Sequence, residues 1–162
     1  MPGLNRRTFL RALAAAGGYA ALARPRAGRA APAIHTKTIP ASGEAIPAIG
    51  MGTWITFNVG RDPELRAHRT RILRAFFEGG GGMIDSSPMY GSSEAVVGHG
   101  LRELGHPEAA FSATKVWHML TSTGETQMAE SRQLWGVERF DLMQVHNLLN
   151  WQGHLATLKE DK

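Results

Sequence analysis

Strand-length apolar runs alternate with helix-length amphipathic segments along this chain from Ile46 onward. This alternation predicts β/α units whose successive strands lie parallel in one sheet. Four residues at the ends of the apolar runs are separated by 31, 30 and 31 positions: Trp54, Asp85, Lys115 and His146. The spacing predicts that they lie in register at the C-terminal edges of their strands. In a β/α barrel such corners converge on one mouth, where active sites are built.

The apolar runs predict four strands, over residues 46–51, 83–85, 111–116 and 140–145. Two shorter β-prone segments lie before the first of these strands. Short β-prone segments at 36–39 and 44–46 flank the turn-forming sequence PASG at 40–43. This arrangement predicts an N-terminal β-hairpin ahead of the parallel sheet.

Helix signals separate the predicted strands. A helix over 63–78 has Asp62 as N-cap, Pro63 at its first position and Gly79 beyond its end. A second is predicted over 93–104, closed by Gly105, and a third over 122–135, where Ser122 and Glu125 have capping-box spacing. Residues 151–160 are predicted to start a fourth helix. The spacing of apolar side chains predicts the buried face of the first helix: Leu65, Ile72, Leu73, Phe76 and Phe77.

The first 33 residues have the features of an export signal. The sequence NRRTFLR at 5–11 is followed by a small apolar run over 12–23 and by alanine-rich sequence. Paired arginines followed by Phe9 and Leu10 are typical of a twin-arginine signal, with cleavage expected near Ala30 or Ala33. The 12-residue run would span about 18 Å as a helix, short of a ~30 Å hydrocarbon core, so we expect no stable membrane span. The expected location is the periplasm.

The net charge of +4 comes from this leader. Six of the 18 lysine and arginine residues precede residue 34, where there is no acid, so the remainder carries 12 basic against 14 acidic residues and nets −2. That balance gives no general attraction for a nucleic-acid backbone, and we expect no nucleic-acid partner. The absence of cysteine excludes disulfides, thiolate metal sites and cysteine nucleophiles.

Four sequence blocks resemble the aldo-keto reductase family. They are IPAIGMGTW at 46–54, IDSSPMYGSSE at 84–94, SATKVW at 112–117 and FDLMQVHN at 140–147. The resemblance runs from about Ile34 to the last residue. It implies an α/β fold, an incomplete (β/α)8 TIM barrel holding strands one to four, as a partial reductase domain over 34–162. The twin-arginine signal would occupy 1–33.

The resemblance implies the reduction of aldehydes or ketones by hydride transfer from NADPH. Tyr90 would be the general acid that protonates the developing alkoxide. Lys115 would be the cation that makes the phenol more acidic, and Asp85 would pair with the lysine and fix its direction. His146 would donate a hydrogen bond to the substrate carbonyl. Positioned proton transfer of this kind contributes typically ~10²–10⁴-fold.

The resemblance also implies the residues around the reacting groups. Trp54 and Trp117 would wall the substrate pocket, and the cofactor would contact Gly52, Thr53, Trp54, Asp85 and Asn147. Taken singly, each catalytic side chain has an ordinary structural interpretation: a strand-end cap for Asp85, a solvated amine for Lys115, a core imidazole for His146 and a loop aromatic for Tyr90. A metal site built from Asp85, His118 and His146 is a further alternative. No closely spaced histidine pair supports it, and we expect no metal.

Removal of the leader after Ala33 would leave 129 residues, whereas a closed barrel takes about 250. We therefore expect that the 162-residue polypeptide alone shows no robust carbonyl reduction. The alternative function is a non-catalytic fragment or a regulatory binding module that retains the first half of the fold. The physiological carbonyl is not specified by the sequence.

Overall fold

The computed structural model describes residues 34–160. The predicted export signal at 1–33 lies outside the described residues. The described part is an α/β fold built from a two-stranded hairpin, a four-stranded parallel sheet and four helices. No helix among residues 34–160 combines the length and the apolar character needed to cross a bilayer.

The hairpin comes first in the chain. β1 (Thr36–Thr38) pairs antiparallel with β2 (Ala45–Pro47), and Lys37 lies opposite Ile46. Gly43 has a φ of 75°, and its N–H donates to the carbonyl of Ile39, which closes the turn. The predicted hairpin is confirmed.

The parallel sheet has the strand order β3, β4, β5, β6. Its strands are β3 (Met51–Gly52), β4 (Met83–Asp85), β5 (Phe111–Val116) and β6 (Leu142–Val145). Strands two and three match their predicted bounds. The first and fourth were predicted too long. The segment at 45–47 belongs to the hairpin, and β6 begins after Asp141, whose carboxylate accepts the N–H of Ser112 at 2.7 Å while its own N–H donates to the Ser112 carbonyl at 3.0 Å.

The register of the sheet corrects the prediction drawn from equal spacing. Asp85 lies opposite Gly52 on one side and Ala113 on the other, and Lys115 lies opposite Gln144. Asp85 is therefore two residues short of Lys115 in register, and His146 is two residues beyond it. Both offsets are even, and because side chains alternate along a strand, the predicted residues still share one side of the sheet.

The helices are α1 (Pro63–Glu78), α2 (Ser93–Glu103), α3 (Thr121–Trp135) and α4 (Trp151–Glu160). Asp62 caps α1 as predicted, with its carboxylate accepting from the N–H groups of Glu64 and Leu65. The predicted capping box of α3 is wrong. The helix begins at Thr121 after Leu120, so Ser122 lies inside it, and Glu125 instead accepts a hydrogen bond from Thr157 on α4.

The core lies between the helices and one face of the sheet. Its fully buried members include Leu73 of α1, Ile84 of β4 and Trp135 of α3, around which Val96, Val97, Leu101, Phe57 and Phe140 pack. The buried face of α1 is narrower than predicted: Leu73 is buried and the two phenylalanines are half-buried, but Leu65 and Ile72 are exposed. The helices cover one face of the sheet, and the opposite face presents the candidate site.

Candidate active site

The centre of the site is an ion pair between adjacent strands. Lys115 Nζ lies 2.7 and 2.6 Å from the two carboxylate oxygens of Asp85 and donates a further hydrogen bond of 2.8 Å to the carbonyl of Ser86. The three acceptors account for all three ammonium hydrogens. The lysine side chain is only 13% exposed, compared with 34% for the aspartate. The amine is therefore held in one direction rather than solvated.

Gln144 fixes the carboxylate from the other side. Its Nε2 donates to Asp85 Oδ1 over 3.0 Å, and its backbone lies opposite Lys115 in the register of β5 and β6. The carboxylate thus accepts from two strands at once. Gln144 lies within the block at 140–147, but no role was predicted for it from the sequence. Its position two residues before His146, on the same side of a strand, was the available signal.

Tyr90 ends a short 3-10 turn, Pro88–Tyr90, that directly follows β4. Ser87 caps the turn, with its Oγ accepting the N–H of Met89 at 3.2 Å. The phenol ring lies beside the cation, with Lys115 Nζ 5.4 Å from its centroid. It also contacts two predicted neighbours: His146 edge-on at 5.7 Å between centroids, and Trp54 at 6.4 Å. The turn therefore brings the phenol, the amine and the imidazole together.

His146 follows β6 and is held through its Nδ1, which lies 2.7 Å from the Oγ of Ser87. Burial lowers the pKa of His146 from its ordinary 6.5, and the positive charge of Lys115 lowers it further, while the carboxylate of Asp85 acts in the opposite direction. The imidazole is therefore neutral at neutral pH and carries one N–H donor.

Buried hydroxyl groups support the strand ends from behind. Thr53 is fully buried, and its Oγ1 donates to the carbonyl of Asp85 at 3.0 Å and contacts Ser86 Oγ at 2.9 Å. Ser93, at the start of α2, donates to the carbonyl of Thr53. The side chain of Thr53 is thus committed to the protein and faces away from solvent.

The remaining predicted residues border the cluster. Gly52 ends β3 opposite Asp85, and a Cβ there would meet no atom within 4 Å, so open space lies in front of this backbone. Asn147 is exposed and has a φ of 55°, a conformation that asparagine tolerates. Trp117 is 38% exposed, and its backbone N–H donates to Gln127. Neither the Trp117 nor the Asn147 side chain has a hydrogen bond or ring contact with Asp85, Tyr90, Lys115 or His146 among the described residues.

Behind β5 lies a buried carboxylate that sequence reasoning missed. Glu94 of α2 is 2% exposed and accepts hydrogen bonds from Thr114 at 2.6 Å, Ser131 at 3.0 Å and the indole N–H of Trp135 at 3.2 Å. Burial raises its pKa from 4.5, and the three hydrogen bonds oppose that shift. Glu94 joins α2, α3 and the strand that carries Lys115.

The clustered residues lie on an open face of the described sheet. A cavity of about 390 Å³ lies elsewhere, lined by the hairpin and residues 80–82, and a groove of about 550 Å³ lies between α1 and α2. Neither is lined by the four side chains. Within residues 34–160 no group of three or more histidine, aspartate or glutamate side chains is arranged to hold a metal ion.

Comparison with known proteins gives a family for this arrangement. Residues 48–159, more than half of the chain, match the model of the aldo/keto reductase family. The chain is 34% identical over 128 residues to methylglyoxal reductase YeaE of Escherichia coli (strain K12), covering 76% of this chain and 42% of that protein. The chain thus spans less than half the length of this curated relative.

Solved structures share the fold. An aldo-keto reductase from Klebsiella pneumoniae in complex with NADPH superposes with a TM-score of 0.65 at 24% identity, covering 78% of this chain and 45% of the other. A Bombyx mori aldo-keto reductase in complex with NADP gives 0.59 at 22% identity, covering 79% and 48%. The predicted α/β fold with parallel strands is confirmed by these matches.

Proposed function

Because the chain belongs to the aldo/keto reductase family, we propose that the cluster of Asp85, Tyr90, Lys115 and His146 is the catalytic centre of an NADPH-dependent carbonyl reductase. The observation that supports this most directly is the convergence of these four side chains from three separate strand ends. The ion pair, the phenol and the neutral imidazole lie next to one another without further rearrangement of the backbone.

The residues present fit a nicotinamide cofactor at this edge. Open space in front of Gly52, next to the carboxylate of Asp85, leaves room for a flat ring against the backbone. The bound cofactor would supply the hydride. Gly52, Trp54, Asp85 and Asn147 would hold it directly, and Thr53, whose side chain is buried, would contribute its backbone and support Asp85.

Each clustered side chain has one task in the proposed reaction. Tyr90 gives its phenolic proton to the oxygen of the reduced carbonyl, and the ammonium of Lys115 stabilises the negative charge left on the phenol. Asp85 and the carbonyl of Ser86 hold that ammonium in place. His146 orients the carbonyl oxygen by a hydrogen bond. Trp54 and Trp117 provide apolar walls for the substrate.

The name of the Escherichia coli relative suggests a first substrate. Methylglyoxal is a small 2-oxoaldehyde, and we propose small 2-oxoaldehydes as the substrate class to test first. In barrel enzymes the loops of all eight strands build the pocket. The test therefore co-produces the 162-residue chain with the segment of the relative that follows its matched region, and measures oxidation of NADPH by methylglyoxal.

Turnover that is lost in Tyr90→Phe, while NADPH fluorescence still shows saturable binding, would support the proposal. Assembly of a folded complex that binds no NADPH would instead favour the second candidate, a non-catalytic or regulatory module that retains this half of the fold. Turnover that is unaffected by Tyr90→Phe would contradict the assigned role of the phenol.

We also propose that the protein is exported by the twin-arginine machinery to the periplasm. The support is the leader sequence, with Arg6 and Arg7 followed by Phe9 and Leu10. Replacement of both arginines by lysine should retain the protein in the cytoplasm. The measurement is the distribution of an epitope-tagged chain between periplasmic and cytoplasmic fractions. If the wild type and the lysine variant have the same distribution, the proposal is refuted.

A further inference from the structure

Ser87 is a buried side chain that the proposed reaction does not use. Its exposed fraction is 0%, and its Oγ has two partners among the described residues: the N–H of Met89 at 3.2 Å and Nδ1 of His146 at 2.7 Å. A serine hydroxyl has one hydrogen to donate and two lone pairs that accept. The first partner can only donate to it, so one lone pair is occupied.

The direction of the second hydrogen bond follows from this count. If Nδ1 carried the imidazole proton, Oγ would accept twice, and the hydroxyl hydrogen would be buried without an acceptor among residues 34–160. Such an orphaned donor costs about 1–3 kcal/mol. If Nδ1 is the acceptor, both the hydroxyl hydrogen and Nδ1 have a partner. The hydroxyl therefore donates to Nδ1, and the imidazole proton resides on Nε2.

We propose that Ser87 is a positioning residue that holds His146 in its Nε2–H tautomer, the form able to donate to a substrate carbonyl. The part that concerns the carbonyl rests on the proposed function. Protonation of His146 would make Nδ1–H a donor to Oγ and leave the hydroxyl hydrogen without an acceptor among residues 34–160, so Ser87 also favours the neutral imidazole. The lowered pKa of His146 agrees with that direction.

The same Oγ connects two parts of the site. By accepting the N–H of Met89 it shapes the turn that presents Tyr90, and by donating to Nδ1 it orients the ring that packs edge-on against the phenol. The charged and titratable groups around His146 are Lys115 from β5, Asp85 from β4 and the phenol of Tyr90. None of these is recorded as a hydrogen-bond partner of Nδ1.

The test reads the tautomer directly from the nitrogen chemical shifts of His146 in the isotope-labelled full chain. In the wild type we expect a pyridine-type Nδ1 and a pyrrole-type Nε2. Ser87→Ala should convert this signal to a mixture of tautomers and raise the pKa of His146. Ser87→Cys, which retains only a weak donor, should give an intermediate shift.

The matched control is Ser86→Ala. Ser86 is equally buried and adjacent, but its hydroxyl contacts Thr53 and not His146, so its removal should leave the tautomer unchanged. A proton on Nδ1 in the wild type would overturn the proposal. So would an unchanged tautomer and pKa in Ser87→Ala, or the same change in both alanine variants.

The wild-type measurement decides the tautomer even if a variant fails to fold. In the co-produced complex, Ser87→Ala should lower kcat about tenfold without weakening NADPH binding, as expected for loss of one oriented hydrogen bond. If the wild-type complex has no turnover, the proposed function fails, while the nitrogen shifts still decide whether Ser87 holds the tautomer.

Discussion

Single side chains in this site are fixed by counting their hydrogen-bond donors and acceptors. Lys115 uses three hydrogens on three acceptors, and Gln144 adds a donor to the same carboxylate. The backbone next to Trp54 has a strained conformation. Ile55, beside Trp54, has a φ of 61°, although its branched side chain disfavours positive φ. Strain of this kind persists only where surrounding structure imposes it.

Replacement of Ile55 by asparagine tests that strain. Ile55 is 66% exposed, so little apolar burial is lost, and asparagine tolerates positive φ. We expect Ile55→Asn to raise the free energy of unfolding by about 1 kcal/mol. Chemical denaturation measures this, with Ile49→Asn as the control, because Ile49 is also exposed (79%) but has no positive φ. Equal effects of the two changes would contradict the prediction.

Close contact between α2 and α3 defines the packing of elements behind the site. A Cβ built on Gly98 of α2 would overlap the carbonyl oxygen of Leu134 on α3, and a Cβ on Gly100 would instead meet the tip of the Leu73 side chain. A backbone atom cannot move aside without separating the helices, whereas a side-chain tip can rotate. We therefore expect an added methyl group to be tolerated at Gly100 but not at Gly98.

Gly98→Ala should destabilise the fold by about 2 kcal/mol, because the overpacking outweighs the gain of alanine in helix propensity. Gly100→Ala on the same helix is the matched control, and we expect a change within about 1 kcal/mol of zero. Thermal and denaturant unfolding measure both. A larger loss for Gly100→Ala than for Gly98→Ala would contradict this account of the helix contact.

The buried carboxyl of Glu94, which joins α2 to α3 and β5, should make the stability of the fold depend on pH. Its pKa is raised by burial, so the favourable contribution of its protonated form is present below 4.5 and is lost as the pH rises through the pKa of the folded state. Glu94→Gln keeps an oxygen acceptor for Thr114 and Trp135 and cannot ionise. The variant should therefore gain stability relative to the wild type as the pH rises through that window.

Glu94→Ala provides the contrasting variant. It leaves three donors without their acceptor, and we expect it to lower the free energy of unfolding by about 3 kcal/mol at neutral pH. Denaturation of the three proteins across the acidic range gives the comparison. A stability difference between wild type and Glu94→Gln that does not change with pH would argue against a raised pKa.

At the scale of the whole molecule, the described sheet is open. Among residues 34–160, β3 and β6 each have one neighbouring strand, and large apolar side chains near the strand ends are exposed: Trp54, Ile55, Met119, Leu120 and Leu148. Unpaired strand edges and apolar surface favour association with further chain. The four side chains are thus assembled on a face that these residues do not enclose.

We therefore expect a monomeric polypeptide of these 162 residues to show no robust oxidation of NADPH with methylglyoxal. Catalysis depends on holding the reactants in place as well as on the reacting groups, and an open face holds them poorly. Size-exclusion chromatography followed by the absorbance assay on the monomer fraction checks this. Turnover by the monomer that disappears in Tyr90→Phe would contradict it.

The sequence by itself determined the order of strands and helices and the identity of the four clustered side chains. Apolar periodicity, the Asp62 cap and the blocks around Asp85 and His146 are local patterns. Local patterns can be identified from the sequence without knowing how distant segments pack. The lengths of β3 and β6 and the start of α3 were predicted less well. Those bounds depend on partners such as Thr36, Ser112 and Asn150, which come from other parts of the chain.

Only the tertiary structure decided the register and the support of the site. Ser87 and His146 are 59 residues apart, as are Asp85 and Gln144, and Glu94 reaches partners 20 to 41 residues away. Each contact requires that separate strands and helices come together at one position, and an offset of a single residue would turn a strand's side chains to the opposite face. The physical reason is that such contacts are set by packing between elements, on which the spacing of residues along the chain carries no direct information.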